Sequence, residues 1–141
     1  RLLKNNEKLK NTLQNYTLGT ASYFSIPNAN GDSLSSWMLL PYNFDSTKKY
    51  PVLFCNYGGP GSQQVANRWG AINMWHHMLS SQGYIIVCVD NTGTGFKGAE
   101  FKKKTYLQLG NLEIADQIFA ANYLANNFSY INKQRIGHWG W

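Results

Sequence analysis

The fold of this chain follows from one stretch of sequence, PVLFCNYGGPGS at residues 51–62. Residues 52–55 form an apolar run without helical spacing, and the proline before it and the glycines after it predict a strand buried on both faces. Open α/β sheets place their ligands at the carboxyl ends of such strands, where a glycine-rich loop lets the main chain approach a bound group. Tyr57 begins this loop, so its phenol can donate a hydrogen bond into a crevice; the alternative is a half-buried aromatic side chain on a structural turn.

Length and composition indicate one globular domain. The chain has 141 residues, enough for a single domain with its own core, and a formal net charge of +6. The lysines are scattered and no arginine-rich helix or aromatic–basic motif accompanies them, so we interpret them as solvated surface and predict no nucleic-acid partner. No apolar run reaches the length of a membrane span. The chain begins at Arg1 without a signal-peptide pattern, and we expect it to be an excised piece of a longer protein.

The pattern of apolar residues predicts a hairpin followed by alternating helices and strands. The segment NANGD at 28–32 is a turn signal between two predicted strands. The expected elements are, in order, an amphipathic helix over 1–15, strands at 23–26, 34–40 and 52–55, a helix over 63–82, a strand at 84–89, a short helix at 101–109, a long helix at 112–127 and a strand at 135–141. We expect Asn111 to cap the long helix and Glu113 to lie near the positive end of its dipole. This order predicts the α/β class, with a sheet of about five strands that is mostly parallel after its N-terminal hairpin.

One glycine motif suggests a nucleotide site that the surrounding sequence does not support. Residues 93–98 match G-x-G-x-x-G directly after a predicted strand. However, Asp90 would repel approaching phosphates, the segment after Gly98 is short and lysine-rich, and the acidic residue about twenty positions on, Glu113, lies in a helical pattern instead of at a strand end. We therefore favour a structural glycine-rich loop over dinucleotide binding.

The histidines and cysteines give no further site. His76 and His77 have no cysteine or acidic residue near them at metal-ligand spacing, so we predict no metal ion. His138 lies inside the last predicted strand without a local partner, and we expect it to pack against its neighbours instead of acting in catalysis. Cys55 and Cys88 lie inside apolar strands, so we expect buried free thiols and no disulfide.

Five segments in this order resemble the catalytic domain of dipeptidyl peptidase IV and its prolyl oligopeptidase relatives, with the bacterial members most similar. These segments are YGGPGSQ at 57–63, SQGYIIV at 81–87, DNTGTG at 90–95, DQ at 116–117 and RIGHWGW at 135–141. The resemblance covers essentially the whole chain. It implies a partial α/β-hydrolase fold, with residues 1–20 as a linker helix leading into the domain. Residues 21–141 would then be the N-terminal half of the peptidase domain, ending just before the nucleophile serine of a G-x-S-x-G elbow.

The resemblance also implies a mechanism in which Tyr57 has one role. In this family the matching tyrosine donates its hydroxyl to the oxyanion of the tetrahedral intermediate. The serine, aspartate and histidine of the triad come later in the fold, and this chain does not contain them. The family's reaction is the release of dipeptides, or tripeptides, from peptide N-termini, preferentially after proline, through an acyl-enzyme. No cofactor is implied.

The implied partners and compartment belong to the parent protein. They are a peptide substrate with a free N-terminus, a preceding β-propeller, a second copy of the protein and a periplasmic or extracytoplasmic location.

Thr92 stands where the family usually has arginine, and Ala115 replaces a common acidic residue. These two departures support the rival interpretation, a peptidase-like interaction module without catalysis. We further expect the isolated chain to be inactive and aggregation-prone, because the strand from Ile136 to Trp141 would be an open apolar edge without charges.

Overall fold

The computed structural model describes residues 2–140 and contains a five-stranded sheet in the order β1-β2-β4-β3-β5. β1 pairs antiparallel with β2 and β2 with β4, whereas β3 pairs parallel with both β4 and β5. The sheet is therefore mixed, and the predicted α/β class is confirmed. The strands are β1 (Thr20–Pro27), β2 (Ser33–Leu40), β3 (Tyr50–Asn56), β4 (Ile85–Val89) and β5 (Ile131–Gly140).

All four predicted helices are present, but three of them are shorter, and the one predicted over 101–109 begins three residues earlier and ends at Lys103. They are α1 (Glu7–Leu13), α2 (Met74–Ser81), α3 (Gly98–Lys103) and α4 (Asn111–Asn127). No residue of α1 is buried, so its apolar side chains do not pack on the core. Without such packing, nothing stabilises a longer helix reaching towards residue 1. The prediction for Asn111 is wrong: it is the first helical residue, and Gly110 with φ 89° precedes it. Glu113 does lie at this end, where its carboxylate accepts a hydrogen bond from the Gly110 N–H at 2.9 Å. Within residues 2–140, no helix is long and apolar enough to cross a membrane.

The prediction of a helix over residues 63–82 is wrong in its first half. The Asp90 carboxylate accepts hydrogen bonds from the backbone N–H groups of Gln64 and Val65, both at 2.9 Å, and this holds the segment out of a helix. Gly70 then adopts φ +85°, which a continuous helix does not allow. The helix begins only after Asn73, whose side-chain oxygen accepts from the His76 N–H at 3.1 Å.

The central strand β4 is buried on both faces, as its uninterrupted apolar sequence predicts. Ile85, Val87 and Val89 pack in one cluster with residues of α4, whereas Ile86 and Cys88 pack in a second cluster on the other face. β3 contributes to both clusters in the same alternating way. Cys88 and Cys55 are buried free thiols, as predicted. Burial raises the pKa of the Cys55 thiol to about 11.

β5 lies at the edge of the sheet and is longer than predicted. It starts at Ile131 instead of Arg135, and its first half carries Lys133 and Arg135, so the predicted charge-free edge from Ile136 is only its second half. Trp139 leaves 64% of its surface exposed. Trp141, the last residue of the predicted edge, lies outside the described residues.

Candidate active site

Tyr57 lies directly after β3, at the carboxyl ends of the parallel strands. Its side chain is 47% exposed, and its hydroxyl has no hydrogen-bond partner within residues 2–140. The loop that it begins, residues 57–62, lies against the loop that follows β4. Two backbone hydrogen bonds join the loops, from the Gly61 N–H to the Gly93 carbonyl at 3.1 Å and from the Gly95 N–H to the Ser62 carbonyl at 2.7 Å. The phenol is therefore a free donor on an anchored loop, at the sheet edge where α/β proteins bind ligands.

A cleft of about 440 Å³ opens beside Tyr57. Its walls are the loop after β3 and the first turns of α4, and His138 of β5 lies at its margin. The lining is largely apolar, with Leu109 and Ile114 contributed from the α4 side. A smaller cavity of about 230 Å³ also has Tyr57 in its wall, so this side chain separates two recesses at the sheet edge. The arrangement offers one hydrogen-bond donor between an apolar cleft and a more polar recess.

Three glycines in the loops after β3 and β4 are required by close contacts with neighbouring groups. A Cβ at Gly59 would stand 2.5 Å from Cε1 of Tyr57. A Cβ at Gly95 would stand 2.9 Å from the Gly61 carbonyl oxygen, and one at Gly93 would stand 2.6 Å from Cγ2 of Thr105. Gly93 and Gly95 of the G-x-G-x-x-G pattern thus allow close packing, which supports the structural interpretation of residues 93–98.

Asp90 and Asn91 are the site residues whose roles the sequence analysis missed. Asp90 is 3% exposed and anchors the segment after the Tyr57 loop through its two backbone contacts. Burial raises the pKa of its carboxyl group, while the two backbone donors act in the opposite direction. Asn91 is fully buried, and its side-chain amide donates to the Gly58 carbonyl at 2.9 Å. Both follow a predicted strand end, which was the only available sequence signal.

The unusual Thr92 is accommodated by polar contacts on both sides. Its N–H donates to the buried Asp116 carboxylate at 2.7 Å, and its hydroxyl accepts from the Asn28 amide at 3.3 Å. Asn28 also donates to the other Asp116 oxygen at 3.0 Å. The carboxylate is therefore satisfied without an arginine at position 92. Ala115 is exposed on α4, where its small side chain leaves nothing unpaired.

The histidines have separate surroundings. His76 caps α2, with its Nδ1 accepting from the Asn73 N–H at 3.1 Å, and His77 Nδ1 accepts from the Gly19 N–H at 3.2 Å. His138 is exposed, with its ring centroid 6.3 Å from that of Phe54, and partial burial lowers its pKa. Among the described residues, no group of three or more His, Cys, Asp and Glu side chains could hold a metal ion.

Comparison with known proteins shows that the chain is similar to dipeptidyl peptidases. Residues 72–141 match the prolyl oligopeptidase family. The chain is 42% identical over 143 residues to a protein named probable dipeptidyl peptidase 4 from Aspergillus flavus, which covers 100% of the chain and 18% of the fungal protein. It is 40% identical to dipeptidyl peptidase 4 of Arthroderma otae, over 99% of the chain and 18% of that protein.

A solved structure shows the same relationship. The crystal structure of Porphyromonas gingivalis dipeptidyl peptidase 4 superposes with a TM-score of 0.90 at 40% identity, covering 100% of this chain and 20% of the bacterial one. The chain thus spans about a fifth of the length of the relatives it matches. The fold predicted from the sequence, a partial α/β-hydrolase fold, is confirmed by this superposition.

Proposed function

Since this chain belongs to the prolyl oligopeptidase family, we propose that residues 21–141 form the N-terminal half of the catalytic domain of a serine exopeptidase. Residues 1–20 would be the linker into this domain. The proposed reaction is the release of N-terminal dipeptides, or tripeptides, preferentially after proline. The observation that carries the proposal is the position of Tyr57, whose unpartnered hydroxyl lies at the carboxyl end of β3 beside an open cleft.

The proposed chemistry has two steps. A serine hydroxyl attacks the carbonyl carbon of the scissile peptide, its proton passes to a histidine, and the resulting oxyanion accepts a hydrogen bond from the Tyr57 hydroxyl. The carbon–nitrogen bond then breaks, the amine leaves with the proton, and an acyl-enzyme remains until water releases the dipeptide. The serine and the other triad residues would come from parts of the protein outside these 141 residues.

The proposed partners follow from the same family membership. The substrate is a peptide with a free N-terminus, and the parent protein is a periplasmic or extracytoplasmic homodimer with an N-terminal β-propeller. The rival hypothesis, an interaction module without catalysis, rests on Thr92 and Ala115. The contacts of Thr92 with Asp116 and Asn28 weaken it, because the loop is satisfied without the usual arginine.

Reporter hydrolysis tests the proposal. The full-length protein should cleave Gly-Pro-7-amido-4-methylcoumarin, should cleave the N-acetylated reporter far more slowly, and should be inactivated by a serine-directed phosphonate. The isolated chain should cleave neither reporter, because an oxyanion donor without a nucleophile has nothing to assist. Full-length protein that turns over no dipeptide reporter and does not react with the phosphonate would favour the interaction module.

A further inference from the structure

We propose that Asn91 is a positioning residue for Tyr57, acting through the carbonyl group of Gly58. This inference rests on the proposed function, because it assigns a role towards the oxyanion donor. Asn91 lies at the start of the loop after β4 and is 0% exposed. A buried asparagine must place its amide hydrogens on specific acceptors, so it can fix the position of the main chain that it contacts.

The Asn91 amide group joins the two loops. Its Nδ2 donates to the Gly58 carbonyl at 2.9 Å and to the Thr92 carbonyl at 2.9 Å. Gly58 follows Tyr57 directly in the chain. The hydrogen bond to its carbonyl therefore fixes the peptide group between Gly58 and Gly59. The direction in which the Tyr57 side chain leaves the backbone depends on that local geometry. A displacement of about 1 Å at a catalytic group can cost on the order of a hundredfold in rate.

Helix α4 fixes which way the Asn91 amide faces. Gln117 Nε2 donates to Asn91 Oδ1 at 3.2 Å and to the Val89 carbonyl at 3.0 Å. The oxygen of Asn91 is thereby occupied on the helix side, and its amide hydrogens are left for the Gly58 side. A chain of hydrogen bonds therefore runs from α4 through Asn91 to the residue after Tyr57.

The contact is too close for any side chain at position 58. A Cβ at Gly58 would stand 2.8 Å from Asn91 Oδ1, and Gly58 has φ +76°. The left-handed conformation and the direct approach of Asn91 thus occur at the same residue. The hydroxyl of the neighbouring Thr94 donates to the Asn91 carbonyl at 2.8 Å, and within the described residues it donates no hydrogen bond to the Tyr57 loop. A substitution at Thr94 is therefore a matched control. It can weaken the loop after β4 without removing the hydrogen bond from Asn91 to Gly58.

Steady-state kinetics on the full-length protein test the role. In Asn91→Ala, kcat for the Gly-Pro reporter should fall about tenfold with KM unchanged, because the donor is misplaced and not removed. Gln117→Leu, which leaves Asn91 in place, should lower kcat in the same direction by a smaller factor. Thr94→Val should stay within about twofold of wild type. In a Tyr57→Phe background, Asn91→Ala should cause almost no further loss. An undiminished tenfold loss in that background, or an unchanged kcat in Asn91→Ala, would overturn the inference.

Hydrogen exchange gives a readout that does not depend on activity. The amides of residues 58–62 other than Pro60, which has no N–H, should exchange at least about tenfold faster in Asn91→Ala than in wild type or Thr94→Val, since Asn91 anchors that loop. Unchanged exchange over 58–62 would overturn the inference even if the protein proves to be inactive. An inactive wild type with the expected exchange pattern would instead reject the proposed function and leave the anchoring intact.

Discussion

Gly59 lies against the ring of Tyr57, and a Cβ at position 59 would stand only 2.5 Å from Cε1 of that ring. Gly59 has no positive φ, so its backbone would accept an alanine. The contact with the tyrosine, and not the backbone conformation, is therefore what requires glycine here. This relationship makes position 59 a means of displacing the Tyr57 phenol without changing its chemistry.

Gly59→Ala should lower kcat of the full-length protein by tenfold or more at unchanged fold, since the methyl group pushes the ring away from the position proposed for the oxyanion. The measurement is kcat and KM with the Gly-Pro reporter. The matched control is Gly137→Ala, where the added Cβ makes an ordinary 3.6 Å contact with Leu53. Equal losses in both variants would mean that the effect is general destabilisation.

Tyr57→Phe should reduce kcat by roughly a hundredfold or more with little change in KM, as expected when an oxyanion donor is lost. The variant keeps the ring and loses only the hydroxyl. Labelling by a serine-directed phosphonate provides the control for an intact nucleophile. If kcat is unchanged, Tyr57 has no part in the mechanism.

Acidification should weaken the contact between α2 and the start of β1. Burial lowers the pKa of His77 from its ordinary value of 6.5, so the folded state favours the neutral ring whose Nδ1 accepts from the Gly19 N–H. Between the lowered folded pKa and 6.5 the unfolded chain binds more protons, and stability is therefore lost as the pH falls below 6.5. We expect the Gly19 amide to lose protection from hydrogen exchange between pH 7 and 5.

His77→Gln provides the control for this pH effect, because an amide oxygen can accept the same hydrogen bond without titrating. Protection of the Gly19 amide should then vary less with pH. Burial also lowers the pKa of His76, which caps α2. His76 should therefore leave a smaller pH dependence of stability in His77→Gln. Identical pH profiles in wild type and His77→Gln would exclude His77 as the source.

The isolated 141-residue chain should self-associate through the edge of β5. Within the described residues this strand pairs only with β3, and Trp139 on it is largely exposed. Trp139→Lys should shift size-exclusion profiles towards the monomer. Trp69→Lys is the control, since Trp69 is 75% exposed but belongs to the segment between β3 and α2 and not to the strand. A monodisperse wild-type chain with protected amides over 135–140 would contradict this expectation.

The sequence by itself determined the elements whose signals are local. β4 is recognisable because each of its residues is apolar. The hairpin is recognisable because the segment NANGD at 28–32 is a strong signal for a tight turn. The segment after β3 identified Tyr57 as a candidate in the same way, through glycines at a strand end. The family resemblance rested on five short segments, which include the loop after β3 and part of β4.

Tertiary structure alone decided where the helices begin and how the site is supported. Residues 63–73 have helical spacing, yet Asp90, more than twenty residues away in sequence, holds their backbone through two hydrogen bonds. The tether from Gln117 through Asn91 to Gly58 likewise joins residues that no local pattern connects. Periodicity reports which side chains are apolar, whereas a buried polar group satisfies its hydrogen bonds with whatever partner the fold brings near.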